Sequence, residues 1–179
     1  MNNIETKCFI SKCGEYRWSL ELSISRRKKE ICFIGLNPSL SNENFFDNTT
    51  KKIIKISQYC NYGKIKIINL FGIISSYPEL LLGHQDPIGF LNDQIILSSL
   101  KCWSCNNNCN LWLGWGNKGN LFNRDLKIYK LIKKYFDLKK NIFNNPTAPL
   151  IIKKTKLNNP IHPLYCKDRS SLTEYLEIC

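Results

Sequence analysis

The chain has 179 residues, 43% hydrophobic and 22% charged, with 26 Lys and Arg against 14 acids for a formal charge of +12. One domain spanning residues 1–179 accounts for that length, and the balance excludes general disorder and a second domain of comparable size. No apolar run approaches the ~20 residues of a membrane span, and Met1-Asn2-Asn3-Ile4-Glu5 lacks the basic and apolar regions of a secretory signal, so a cytoplasmic protein with no membrane partner is expected.

The first clear element is the apolar run 30–34, a buried strand that ends at Gly35. Ile53, Ile56 and Cys60 recur at helical spacing and predict a helix over 49–61, stopped by Asn61-Tyr62-Gly63. A second strand follows over 64–70. Asp86-Pro87 reads as a helix opening, with Asp as cap and Pro at the first helical position, and Ile88, Leu91, Ile95 and Ser99 along one face. A third strand spans 110–115 and breaks at Gly116-Asn117. A helix over 121–135 turns Ile128, Leu131, Ile132 and Tyr135 inward and Lys127, Lys130, Lys133 and Lys134 outward. A short strand at 141–143 closes the series. Alternation of strands and helices predicts an α/β fold with a parallel sheet covered on both faces.

Ligands of such sheets bind beyond the carboxyl ends of the strands. That rule gathers Gly35, Leu36, Asn37, Pro38 and Ser39 after the first strand, Asn69 after the second and Asn117 after the third. The late loop Pro160-Ile161-His162-Pro163-Leu164-Tyr165 can close over the same edge. Amides, a histidine and aromatics would then converge on one pocket suited to a flat heterocycle.

The charge excess favours a polyanionic partner, and residues 124–156 alone hold ten basic residues against two acids. A- and T-rich codon usage is a competing source of lysine. The lysines of the 121–135 helix read as a solvated face or, with Lys139, Lys140, Lys153, Lys154 and Lys156, as a track for phosphates. Nine cysteines, an odd count, argue against a paired disulfide framework in a reducing compartment. Cys102, Cys105 and Cys109 cluster without an evident fourth ligand, so no metal and no cofactor are expected.

Gly35-Leu36-Asn37-Pro38-Ser39, Asp86-Pro87-Ile88-Gly89 with Asn92-Asp93, Trp115-Gly116-Asn117 and His162-Pro163-Leu164-Tyr165 together resemble a bacterial and phage domain family of unknown function. That family is allied by motif and fold to the uracil-DNA glycosylase superfamily, and the resemblance spans roughly residues 8–166. It implies a three-layer α/β/α sandwich around a central, mainly parallel four-stranded sheet. It also implies that the 35–39 stretch is a water-activating loop, with Asn37 where the most active glycosylases carry Asp and mismatch-specific branches carry Asn. Asn69 matches the residue that reads the base edge, 113–117 the strand that ends in Leu-Trp-Gly, and His162-Pro163 a loop that contacts the base and the minor groove. Phe45 or Phe46 stands where a base-stacking aromatic is placed. Leu164-Tyr165 departs from the pattern, since the characterised enzymes follow His-Pro with Ser, and this departure counts against a DNA-intercalating role for the loop.

The resemblance implies a nucleobase N-glycosidase, or a related base-processing enzyme, acting on DNA. Asn37 and His162 are then the catalytic pair. An amide has no useful basicity, so Asn37 can only hold water, while His162 donates to the departing base. Gly35, Leu36, Pro38, Ser39, Phe45, Phe46, Asn69, Asn117 and Tyr165 form the substrate pocket, and Lys153, Lys154 and Lys156 contact the nucleic-acid backbone. Blander readings make Asn37 a turn-forming Asn-Pro and Asn69 a cap. Asp47, which follows the first motif, is a candidate substitute carboxylate. The missing carboxylate at position 37 favours an alternative, a non-catalytic nucleic-acid or nucleotide binding module.

Overall fold

A computed structural model describes residues 4–42, 45–77 and 79–178. It is an α/β fold around a mixed seven-stranded sheet in the order β1-β2-β4-β3-β5-β6-β7. The strands are β1 (Glu5–Ile10), β2 (Arg17–Ser23), β3 (Glu30–Gly35), β4 (Lys64–Asn69), β5 (Cys109–Leu113), β6 (Leu150–Ile151) and β7 (Thr173–Glu174). Four α-helices lie among the described residues: α1 (Asn48–Tyr59), the single turn α2 (Leu80–Gly83), α3 (Asn92–Ser104) and α4 (Arg124–Ile142).

Strand β3 is the axis of the sheet. It pairs in parallel with β4 on one side and β5 on the other, and β5 pairs in parallel with β6. Antiparallel strands flank this centre, β1 and β2 at one edge and β7 at the other. The period-two alternation of β3 divides its side chains between two cores. Ile31 and Phe33 join Ile53, Ile54 and Ile56 of α1 on one face. Cys32 and Ile34 join Ile96, Leu100 and Trp103 of α3 and Ile128, Ile132 and Phe136 of α4 on the other. All of β3 after Glu30 is buried, which is why it reads as a continuous apolar run.

The structure corrects several expectations. The sheet has seven mixed strands instead of four mainly parallel ones, because β1 and β7 hold no buried residue and β2 interrupts its apolar residues with Arg17, Ser19, Glu21 and Ser23, so none shows a long apolar run. Asp86 does cap a turn, accepting from the Gly89 N–H at 2.9 Å, but Gly89 has φ +82° and the helix starts only at Asn92. Positive φ at Gly89 turns the chain away from a helix. The buried face of α3 is accordingly Asn92, Ile96, Ser99, Leu100 and Trp103. Residues 141–142 close α4 and are not a strand; α4 runs seven residues past its expected end. No helix among the described residues is long and apolar enough to cross a membrane.

Candidate functional site

From β3 the chain passes through α1 to β4 on one side, then through α3 to β5 on the other. This reversal opens a crevice beyond the carboxyl end of β3, the place where open α/β sheets hold ligands. A cleft of about 530 Å³ lies there.

Its floor is set by strand register. Gly35 and Asn69 are paired neighbours, and the ladder continues as Leu70 N–H donates to Gly35 O and Phe71 N–H to Leu36 O, both at 2.9 Å. A Cβ on Gly35 would stand 2.7 Å from Asn69 Oδ1, so only glycine leaves room for that amide. Asn69 is 4% exposed, and its Nδ2 has no hydrogen-bond partner among the described residues. A buried amide donor without an acceptor is costly unless a ligand or water completes it.

Asn92, Asp93 and Arg124 hold this floor from behind. Asn92 Nδ2 donates to the carbonyls of Asn69 at 3.2 Å and Leu70 at 2.9 Å, and Arg124 Nε donates to Leu70 O at 2.8 Å. Arg124 is ion-paired to Asp93, which also pairs with Lys127. Partial burial works to raise the Asp93 carboxyl, but hydrogen bonds from Arg124 and Lys127 outweigh it and hold the group below its ordinary value. The Asn92-Asp93 motif therefore supports the site without lining it.

Asn37 lines the wall after β3. Its Nδ2 donates to Ser75 O at 2.7 Å and Pro38 O at 3.1 Å, and Ser75 N–H returns to Pro38 O at 2.8 Å. The amide nitrogen thus ties two loops together, leaving Oδ1 as the atom able to order a water.

The opposite wall comes from the late loop. Gly116, at φ +72°, donates its N–H to Pro160 O at 2.8 Å, and a Cβ there would sit 3.5 Å from His162 Cβ. Leu164 N–H donates to His162 Nδ1 at 3.4 Å. With Nδ1 accepting, the proton of the neutral ring sits on Nε2. Burial pushes the His162 imidazole down to about 4 against the opposing pull of Asp47, so the ring is uncharged at neutral pH. Asn117 Oδ1 accepts from Thr155 Oγ1 at 2.6 Å, which anchors the 155–159 turn beside the cleft.

Gly35, Leu36, Asn37, Ser39, Asn69, Asn117, His162 and Tyr165 all line this cleft, as the strand-end rule anticipates. Pro38 is buried behind the wall, and neither Phe45 nor Phe46 lines it. Phe46 packs against the α1 core, and Phe45 lies exposed with Lys51 Nζ 5.6 Å from its ring centroid. Asp47 caps α1, its Oδ1 accepting from Thr50 N–H at 2.7 Å. Lys153 and Lys156 are exposed outside the cleft, whereas Lys154 is ion-paired to Glu177. Lys139 is not on the surface at all. Among the described residues no three His, Cys, Asp or Glu side chains are grouped to hold a metal ion.

Several lining residues go beyond those expected, among them an aromatic and a buried cation. Trp115 forms part of the wall, and Arg17, 3% exposed, reaches the cleft from β2. A lone arginine between Tyr16 and the run Trp18-Ser19-Leu20 is the signal that could have marked it.

The molecule is thus an α/β protein with a cleft at the switch point of its sheet. Residues 17–164 match the family described as "Protein of unknown function (DUF1643)", and the chain belongs to that family. That match bears out an uncharacterised domain family over nearly the span expected from the motifs. No curated protein and no solved structure matches the chain.

Proposed function

We propose that the cleft reads a nucleobase and that the protein is a uracil-DNA glycosylase-like nucleobase N-glycosidase, or a related base-processing enzyme, acting on DNA. One observation carries the reading: Asn69 keeps a buried, unpartnered Nδ2–H on the floor of a cleft that also receives a neutral histidine. A base carbonyl or ring nitrogen satisfies that donor, and Asn69 Oδ1 accepts from an adjacent N–H of the same edge. His162 then donates from Nε2 to the oxygen where charge develops as the glycosidic bond breaks. Asn37 Oδ1 orders the attacking water, whose oxygen bonds to the sugar carbon as the C–N bond breaks and whose proton passes to the departing base anion; with no base to take that proton earlier, the reaction is slow. A base within a duplex has to be flipped out to reach the cleft, and the basic 153–156 turn beside it supplies backbone contacts.

A second reading, a non-catalytic nucleic-acid or nucleotide binding module, draws on a separate observation. The amide nitrogen of Asn37 is committed to Ser75 and Pro38, and the cleft's described carboxylate, Glu79, is ion-paired to Lys118. Among the described residues of the lining no free carboxylate is then at hand to activate water.

A panel of modified-base oligonucleotides assayed for abasic sites separates the two. Catalysis predicts that Asn69→Ala and His162→Ala each lower cleavage by ~10²–10³ while DNA affinity stays within a few-fold, and that Asn37→Asp raises it. Cleavage at the wild-type rate by both Ala variants would overturn the assignment. If nothing is cleaved and Asn69→Ala abolishes base-dependent binding, the binding module stands instead.

A further inference from the structure

We propose that Arg17 anchors an anion subsite in this cleft, built to take the phosphate of a nucleotide whose base lies against Asn69. The identity of the base half rests on the reading above; the anion subsite itself does not.

Arg17 is a buried cation, and the described carboxylate whose charge bears on it is Asp47, with no ion pair between them. No carboxylate among the described residues forms an ion pair with it. Its Nη1 donates to Ser41 O at 2.6 Å and Ser39 O at 3.4 Å, while its Nε is buried without a partner. Glu79, the described carboxylate of the lining, already neutralises Lys118. Asp47, whose charge bears on Arg17, holds its Oδ1 on the Thr50 N–H.

Bracing the 39–41 loop does not require a charge. A neutral amide would donate to the same two carbonyls without bringing an uncompensated cation into the interior, which is strongly unfavourable. A guanidinium is the group of choice where a phosphate or carboxylate supplies the missing charge, because its fork matches two oxygens at once. The neighbourhood agrees. Thr49 and Thr50, in the first turn of α1, line the same cleft, and the acid at that helix end is its cap, Asp47.

Wild-type protein titrated with inorganic phosphate, against chloride at matched ionic strength, tests the subsite directly. The Arg17 Nε–H resonance should shift saturably in NMR spectra. Binding of the common deoxynucleosides and their 5′-monophosphates then tests the whole ligand. The monophosphate should bind about 10- to 100-fold more tightly than its parent nucleoside. In Arg17→Gln that ratio should fall to near one, and Arg17→Lys should retain part of it.

An unmoved Arg17 resonance overturns the proposal, and so does an unchanged ratio in a folded Arg17→Gln. If the Gln variant does not fold, the wild-type resonance and the Lys variant decide. A saturable phosphate shift with no monophosphate binding more tightly than phosphate would leave the anion subsite standing and remove the base reading. Equal binding of nucleoside and monophosphate would do the reverse.

Discussion

His162 links the cleft to the stability of the molecule. Its imidazole sits at about 4, below the ordinary 6.5, because burial disfavours the charged ring. Between those two values the unfolded chain binds a proton that the folded chain does not. Stability is therefore greatest above pH 6.5 and falls as pH drops towards 4, by roughly 2–3 kcal/mol for a shift of this size. Urea midpoints measured from pH 7 to pH 4 should show this loss, and His162→Gln should flatten it. Asn69 and Gly35 belong to the same logic of single atoms. Gly35 lacks a Cβ, so Asn69 Oδ1 fits beside it, and the donor Nδ2 is left without an acceptor among the described residues.

At the level of elements, α4 does two jobs at its ends. Near its start Arg124 braces the loop after β4, and near its end Lys139 staples the turn before β5. Lys139 is fully buried, donates to Asn106 O at 3.1 Å and Cys109 O at 2.9 Å, and lies 5.0 Å from the centroid of the Trp103 ring. Lys139→Ala should cost about 2–4 kcal/mol, because it leaves two carbonyls without donors and opens a void against Trp103; Lys139→Met, which refills the void, should cost less. Burial also pushes the Lys139 ammonium down to about 8, with Cys109 opposing. The native state sheds this proton before the unfolded chain does, so stability should rise between pH 8 and 10.5 in the wild type and not in Lys139→Met. Chemical denaturation across that window checks both statements.

The same contrast explains what could be read in advance. Strands β3, β4 and β5 are buried on both faces, so their apolar runs declare them. Strand β2 was illegible because its buried set includes Arg17 and Ser19, and β1 because it lies at an edge with alternating exposure. Buried Lys139 was taken for surface charge, since composition cannot tell a stapling lysine from a solvated one. In the cleft, the residues that follow the central strands were legible from the strand-end rule alone. Arg17 was not, since it reaches the cleft from a strand that was itself missed. The Phe45 and Phe46 expectation failed because Phe46 was needed by the α1 core.

For the whole molecule, the basic excess is less uniform than its total of +12 suggests. Lys139 is internal, and Lys154 is neutralised by Glu177. Only Lys153 and Lys156 of the 153–156 turn project without an acidic partner among the described residues. If the protein binds DNA through this turn, replacing all three lysines with Ala should flatten the slope of log affinity against log salt by about 2, not 3. Fluorescence titrations at several salt concentrations give that slope, and an unchanged value removes the turn from the interface.

The cleft is also assembled from distant parts of the chain, with Arg17 delivered by β2 and His162 by a loop held to Gly116 through Pro160. Contacts so far apart in sequence close slowly, because the intervening chain loses its freedom before the contact forms. A molecule whose final loop has yet to dock lacks one wall of its site. Any ligand of the cleft therefore selects finished molecules from unfinished ones, and by holding the two ends of the chain together it retards the first step of unfolding.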